Sequence, residues 1–481
     1  MARKMTDFTL YRWRFAVGYA LLGILLTLLL VFAALYVPGG LSNIEMASVV
    51  QSDSLNLKSF NPSDIVNLPY YLLQHASISI LGVSTLSIKL PSLLLGLASI
   101  IGIILLLRTW FRDNVAILTT ILVVTSGQFL FVTQSGANQI LYIFWSVWLI
   151  TAAMMISRRA RFGFFWKLAL FVLAALSLYT PLSIYVLIAL GSAAILHPHL
   201  RYVARRLSKV RILLGVSLGV VLLLPLVYAI YKDPAIGLRL LGVPRQLPPL
   251  IDNGLQLFSQ YLNFTAENSG SFITPVYGLP LVLLIGLGIY QLFSTKYTAR
   301  SYVISIWIVL LAPVLLLNPR FINITFVPAV ILLATGVNFL FSQWYRLFPY
   351  NPYARAAGLI PLAVLILSLV TSGVGRYAYG YHYDPEVASN FSTDLQLLET
   401  IKSQENSGTV SLISSDDESS FYKVVAKYDP SIVLVNATQD APTVAVTRQA
   451  QQEDSYGIPA NIITNSLSSN ANRFYIYKTS E

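Results

Sequence analysis

The sequence contains no cysteine, few charged residues and few histidines. Without cysteine, the chain has no disulfide framework, no zinc–thiolate site and no cysteine nucleophile. Charged residues make up 11% of the 481 residues, against about 25% in a typical soluble domain. The four histidines are scattered and form no HxxxH metal-binding pattern. This composition excludes a cytosolic enzyme, a disordered chain and a nucleic-acid-binding protein.

Long apolar runs dominate what is present. Hydrophobic residues account for 56% of the chain, and the mean hydropathy is +0.66. A helix that crosses a bilayer needs about 20 mostly apolar residues. The first apolar run is too long for a signal peptide and lacks the small-residue cleavage site, so it is interpreted as a membrane anchor. The sequence predicts eleven membrane spans, at residues 15–37, 88–107, 115–132, 140–156, 166–180, 183–196, 212–231, 276–293, 302–317, 321–341 and 359–374.

The distribution of charge predicts the orientation of these spans. With the N-terminus in the cytoplasm, the inner segments hold 19 of the 32 lysines and arginines but only two of the 21 acids, Asp7 and Asp113. This agrees with the positive-inside rule. The net charge of +11 is therefore a signal of topology, and nucleic acid is not an expected partner. We expect a multi-pass protein of the cytoplasmic (inner) membrane.

Three segments on the predicted outer face are long enough to carry a function. They are the loops 38–87 and 232–275 and the polar C-terminal region 375–481. The C-terminal region predicts a small extracytoplasmic α/β domain, with a helix that opens at Asp384 and strands at 410–413, 432–435, 444–446 and 474–477. The predicted fold is thus mainly α, a transmembrane helical module over 1–374 followed by this domain.

Two carboxylates in the first outer loop are candidate catalytic bases. Glu45 follows the first span by one to two helical turns, where it would meet the head group of a lipid-linked substrate. Asp53 is a second candidate, and Asp64 lies in the same loop. The alternative interpretation of each is a solvated loop acid.

Four further residues are candidate substrate contacts. Tyr71 and His75 belong to an aromatic-rich segment that suits a helix lying in the membrane interface. Lys89, at the outer end of the second span, would either snorkel or bind a lipid phosphate. Arg320 lies in a tight outer turn against the charge trend, and a guanidinium can bind a phosphate through two hydrogen bonds. Arg239, in the second outer loop, is interpreted as part of a structural lid.

Taken in order, these segments resemble the GT-C membrane glycosyltransferases, which include protein O-mannosyltransferases and the aminoarabinose transferase of lipid A. The resemblance covers residues 15–345. It is carried by Gly-Leu-Ser-Asn-Ile-Glu at 40–45, Leu-Pro-Tyr-Tyr-Leu-Leu-Gln-His at 68–75, Leu-Gly-Val-Ser at 81–84 and Lys-Leu-Pro-Ser-Leu-Leu-Leu-Gly at 89–96.

The resemblance implies a polyprenyl-phosphate sugar donor, an inverting transfer on the outer face, a loop aspartate as general base, and basic residues that hold the donor phosphate. Two positions depart from the family pattern. Ile44 stands where the family has its aspartate, and the 135–139 loop lacks the charged residues of other members.

The expected function is transfer of a sugar from a polyprenyl phosphate to an envelope acceptor: a lipid, a glycan or a protein. One alternative is a catalytically degenerate relative that binds lipid-linked sugar or partner proteins, which Ile44 favours. Another is a lipid or polysaccharide transporter. No metal site is predicted from the residues, and a need for a divalent cation stays open.

Overall fold

The computed structural model describes residues 9–55, 61–158, 162–206, 209–244, 246–264, 273–295, 297–347, 352–404, 409–438, 440–454, 456–464 and 473–478. Helices dominate the first 383 residues, and a small sheet follows. The helices are α1 Thr9–Tyr36, α2 Asn43–Asp53, α3 Leu68–Leu81, α4 Thr85–Trp110, α5 Asp113–Val124, α6 Gly127–Gln134, α7 Ile140–Ser157, α8 Gly163–Ser177, α9 Ser183–Leu196, α10 Pro198–Arg205, α11 Lys209–Lys232, α12 Pro234–Leu240, α13 Leu250–Leu262, α14 Leu279–Ser294, α15 Ala299–Leu317, α16 Phe326–Leu347, α17 Pro352–Tyr383, α18 Pro385–Ala388, α19 Asp394–Gln404, α20 Asp416–Tyr428 and α21 Arg448–Glu453.

The apolar helices confirm a multi-pass membrane protein. Among the described residues, seven helical segments are long and apolar enough to cross a membrane, and two bent helix pairs raise the number to nine. Two shorter apolar helices, α8 and α14, coincide with the predicted fifth and eighth spans. Each of the eleven predicted spans therefore overlaps an apolar helix, but length alone supports seven to nine crossings.

The predicted third span is not one straight helix. α5 and α6 meet at an angle of 64°. At the bend, the Thr125 hydroxyl donates to the Ile121 carbonyl (2.8 Å) and the Ser126 hydroxyl to the Val123 carbonyl (2.6 Å). These side chains bond to the backbone and so compete with its continuation as a helix. Ser126 then serves as the N-cap of α6.

The C-terminal region forms a five-stranded mixed sheet, in agreement with the predicted α/β pattern. The strands of the chain are β1 Leu41–Ser42, β2 Phe391–Ser392, β3 Val410–Ile413, β4 Ile432–Leu434, β5 Thr443–Thr447, β6 Asn461–Thr464 and β7 Arg473–Lys478. The order in this sheet is β4-β3-β5-β7-β6, in which β4, β3 and β5 are parallel and β7 and β6 antiparallel. Sequence analysis missed β6 and α21.

The helix predicted to open at Asp384 is wrong as a single element. α18 stops at Ala388, and the chain becomes extended at Phe391–Ser392 before α19 begins. This short β2 pairs antiparallel with β1 of the first loop, Leu41 opposite Ser392. A pairing partner 350 residues away overrides the local helical spacing. Gly40 permits the approach, because a Cβ there would lie 2.6 Å from the Ser392 carbonyl oxygen.

The first loop and the C-terminal region share one hydrophobic core. Leu41 and Val49 from the loop and Ile88 from α4 are buried together with Leu398 of α19 and Phe421 of α20. The C-terminal region is thus seated on α2–α4, at the end of the bundle that the charge pattern predicts to face outward. This end, which holds α2, α3 and α12, is named the predicted outer end below.

Candidate functional site

Glu45 lies in a buried capping box at the start of α2. Its carboxylate accepts hydrogen bonds from the backbone N–H (2.7 Å) and hydroxyl (2.9 Å) of Ser42, which is the N-cap residue. The other oxygen accepts from the Gly136 N–H in the loop after α6. The side chain has no solvent exposure. These contacts give Glu45 a structural task, and its role as a catalytic base remains a prediction.

Lys89 is also fully buried, beside Glu45. Its ammonium donates to the carbonyls of Ala34 (3.3 Å) and Gly40 (2.9 Å) and to Oε1 of Gln134 (2.8 Å). The Glu45 carboxylate is the charged group that acts on it electrostatically. Lys89 therefore ties together the end of α1, the first loop and α6. Its expected role, either snorkelling or binding a lipid phosphate, stays a prediction.

Gln74 extends this buried polar cluster toward α3. It accepts from the Ser48 hydroxyl (2.7 Å) and donates to the carbonyls of Gly136 (2.8 Å) and Ile88 (3.3 Å). His75, the next residue, is partly exposed, and its Nδ1 is buried without a described hydrogen-bond partner. The structure places His75 beside the cluster, and no hydrogen bond among the described residues joins its buried Nδ1 to another candidate residue.

Asp53, the second carboxylate candidate, joins α2 to the C-terminal region. Its Oδ1 accepts from the Lys427 ammonium (2.6 Å) and from the Tyr428 hydroxyl (3.0 Å), both on α20. Burial and Asp53 together raise the pKa of Tyr428 to about 12. Asp53 thus contributes to docking, and its catalytic role stays a prediction.

Tyr71 is the sequence candidate that lies in a second polar group, apart from Glu45. Its hydroxyl accepts a hydrogen bond from Nδ2 of Asn138 (3.0 Å). The pKa of this hydroxyl is raised, mainly by burial. The Asn138 hydrogen bond and the Arg239 guanidinium oppose this shift, and the Asp64 carboxylate adds to it. Arg239 and Asp64 are therefore both within electrostatic range of Tyr71. Asn67, at the start of α3, adds a buried Oδ1 without a described partner.

A cavity of about 430 Å³ opens next to this group. Its wall includes Arg239 and Asp233 from the α12 segment, with Asn318 and Phe321 from the turn after α15. Asp233 starts α12 by accepting from the Ala235 N–H (3.0 Å), and this cap fixes the helix that carries Arg239. The cavity is lined by two segments that are distant in sequence, residues 233–244 and the turn after α15.

Arg320 sits in the same turn, between Asn318 and Phe321. Its backbone N–H is bonded to Oδ1 of Asn318 (3.3 Å), and its side chain is exposed. Neither Arg239 nor Arg320 forms an ion pair with any residue in the described ranges. Arg239 lies on the cavity wall, and Arg320 lies in the turn that contributes Asn318 and Phe321 to it. Both are suited to an anionic ligand, because a guanidinium can donate two parallel hydrogen bonds to a phosphate.

The charged residues on the cavity wall are Arg239 and Asp233, and the described residues around it form no metal-binding cluster. Within the described part of the chain, no three His, Asp or Glu side chains are grouped so as to hold a metal ion. Sequence analysis underestimated Arg239, which it assigned to a lid. The signal was present, since an arginine on the predicted outer face opposes the positive-inside trend just as Arg320 does.

The fold agrees with the GT-C fold that the sequence resemblance predicts. The oligosaccharyltransferase of Archaeoglobus fulgidus in its apo form matches with a TM-score of 0.51 at 14% identity, over 91% of this chain and 66% of that chain. ArnT from Cupriavidus metallidurans in the apo state matches with a TM-score of 0.49 at 14% identity, over 96% of this chain and 98% of that chain. A second structure of this ArnT, bound to undecaprenyl phosphate, matches equally well at 15% identity.

The similarity is confined to structure. No family model matches the chain, and no curated protein matches it. At these identities the solved structures establish the fold class, and the chemistry has to be argued from the site.

Proposed function

We propose that this protein is a glycosyltransferase that moves a sugar from a polyprenyl-phosphate donor to an envelope acceptor at the predicted outer end. The observation that carries the proposal is the Arg239 guanidinium on the wall of the 430 Å³ cavity of a GT-C fold, with Arg320 in the adjacent turn. Neither arginine forms an ion pair with a described residue. The donor phosphate would bind there, and its polyprenyl chain would leave through the apolar surface of the bundle.

The transfer needs a base and positive charge that stabilises the leaving group. The acceptor hydroxyl gives its proton to a carboxylate while its oxygen bonds to the anomeric carbon, and the bond from that carbon to the phosphate oxygen breaks on the opposite face. The electron pair leaves with the phosphate. Fixed guanidinium groups stabilise the charge that develops on this phosphate.

Asp64 is the best-placed base in this proposal. It acts electrostatically on Tyr71, as Arg239 does, and so belongs to the neighbourhood of the cavity. Glu45, in contrast, accepts three hydrogen bonds and is fully buried. The family aspartate position, Ile44, cannot accept a proton, and Asp64 would take over this task from elsewhere in the same loop.

The test combines donor binding and turnover in nanodiscs. Wild-type protein is given radiolabelled polyprenyl-phosphate sugars and a panel of envelope acceptors, and release of polyprenyl phosphate is measured. We expect Arg239→Gln to lower turnover by about 10²–10³-fold, the usual effect of removing one donor to a developing anion. Asp64→Asn should abolish release and keep donor binding. The matched control is Lys423→Gln, an exposed cation on α20, which should change neither quantity.

A second candidate function is a degenerate relative that binds lipid-linked sugar without transferring it. The carboxylates of Glu45 and Asp53, the two candidate bases in the sequence, both form structural hydrogen bonds, and this favours the alternative. It predicts Arg239-dependent donor binding with no release under any acceptor. Release that is unchanged in Asp64→Asn and lost in Glu45→Gln would restore Glu45 as the base. A wild-type protein that binds no donor would overturn both functions.

A further inference from the structure

A second, larger cavity lies at the opposite end of the bundle, away from the candidate site. α4 runs over 26 residues from the predicted outer end, which corresponds to about 39 Å. Arg112 and Asn114 follow its far end and border a cavity of about 1250 Å³ between α5, α16 and α17. This end carries the excess of lysine and arginine, so the charge pattern predicts that it faces the cytoplasm.

The cavity is a groove with an apolar floor and a polar mouth. Ile117, Ile121 and Ile366 belong to the floor, while Arg112, Asn114 and Ser342 lie at the polar rim. Its volume exceeds the roughly 300–1,000 Å³ of ordinary small-molecule pockets. Its long apolar floor fits a hydrocarbon chain better than a compact metabolite.

The cations at the mouth have no protein counter-charge. Arg112 is exposed and forms no ion pair with a described residue, because the adjacent Asp113 is bonded to Arg108 (2.9 Å). Arg346 follows Ser342 by four residues on α16 and so lies on the same helix face, one turn nearer the end. It too is exposed and outside the described ion pairs. Arg112 therefore borders the groove, and Arg346 lies one helical turn beyond Ser342, which lines it.

We propose that this groove binds an anionic glycerophospholipid of the cytoplasmic leaflet. Arg112 and Arg346 hold the head-group phosphate, and the acyl chains lie between α5 and α17. Basic pockets between transmembrane helices on the cytoplasmic side bind anionic head groups in this way, and each arginine near the surface contributes about fivefold in affinity. The site is separate from the proposed transfer reaction and stands whether or not that proposal is correct.

The test measures lipid retention by the full-length protein after delipidation in mild detergent. Phosphatidylglycerol and phosphatidylcholine with identical acyl chains are titrated in turn, and bound lipid is counted by native mass spectrometry. We expect wild-type protein to prefer phosphatidylglycerol by about tenfold or more, and each of Arg112→Gln and Arg346→Gln to weaken its binding about fivefold. The matched control, Arg205→Gln, removes an exposed arginine from the same predicted end and should leave the preference unchanged.

A second variant tests the groove separately from the charge. Ala363 lines the cavity on α17, and Ala363→Trp should exclude both lipids while leaving the arginines in place. Equal retention of the two lipids by wild-type protein would overturn the proposal, as would an anionic preference that survives loss of both arginines. Displacement of phosphatidylglycerol by equimolar polyprenyl phosphate would also overturn it and assign the groove to the isoprenoid lipid.

Discussion

Replacing Lys89 with methionine should destabilise the protein by about 3–5 kcal/mol, because several buried acceptors lose their donor at about 1–3 kcal/mol each. The ammonium has no solvent exposure and donates to Ala34 O, Gly40 O and Gln134 Oε1. Methionine fills a similar volume but cannot donate to these three acceptors. It also removes the buried cation that interacts electrostatically with the Glu45 carboxylate.

The partner change, Glu45→Gln, should cost about 1–3 kcal/mol. The carboxylate accepts from the N–H and O–H of Ser42 and from the N–H of Gly136. A glutamine amide provides one acceptor oxygen, so its NH₂ group must point toward a donor. At least one buried N–H or O–H then loses its partner.

The double variant distinguishes a coupled pair from two independent residues. Removal of both charges leaves no buried ion, so Glu45→Gln with Lys89→Met should be less destabilised than the sum of the single variants, by about 1–3 kcal/mol. Unfolding by a denaturing detergent, followed through tryptophan fluorescence, gives the four free energies. Lys423→Met is the control, and a change at this exposed lysine should stay within about 0.5 kcal/mol.

Two results would refute this reasoning. Additive single variants would show that Lys89 and Glu45 do not stabilise one another. A Glu45→Gln protein of unchanged stability that has lost transfer would show that Glu45 acts in the reaction and that its capping bonds contribute little.

Three further perturbations have defined outcomes. Gly136→Ala places a Cβ 2.6 Å from Cγ2 of Ile88 and should cost about 1–3 kcal/mol in the same unfolding assay, whereas an unchanged value would mean that the loop can shift freely. Asp53→Asn should cost less than about 1 kcal/mol of stability, because its partner Lys427 is 55% exposed. It should nevertheless speed proteolysis of the C-terminal region, and unchanged proteolysis would show that the Asp53–Lys427 pair has no docking role. Burial, reinforced by nearby acids, raises the pKa of Glu418 to about 7. The stability of the protein should therefore fall by about 1–2 kcal/mol as the pH rises from about 5 to 8. Glu418→Gln should flatten the pH dependence of the thermal-unfolding midpoint, and an equal slope in both proteins would contradict this.

The bundle could be predicted from sequence because the membrane imposes one dominant requirement. A spanning helix needs a long apolar run, and such runs are visible without knowledge of the partners they pack against. The bend at Thr125 and Ser126 escaped prediction, because hydroxyl groups in a helix bond to the backbone with or without bending it. Only the surrounding packing decides between these outcomes.

The connection between the first loop and the C-terminal region could not be predicted for a different reason. Residues 387–401 show apolar positions three and four apart, which indicate a helix locally. The extended segment at Phe391–Ser392 exists because Leu41–Ser42 offers it backbone hydrogen bonds. A single sequence does not show which segments pair when they lie about 350 residues apart.

The candidate site shows how far a motif in sequence determines chemistry. Segment 40–45 resembles the loop that holds the family's catalytic aspartate, yet its retained features also satisfy a structural need. Ser42 and Glu45 form the reciprocal bonds that start α2, and Glu45 fixes the Gly136 loop. A glutamate at this position would therefore be kept even in a protein without transferase activity. The catalytic proposal therefore depends on Arg239, which lines the cavity, and on Asp64, which acts electrostatically on the neighbouring Tyr71.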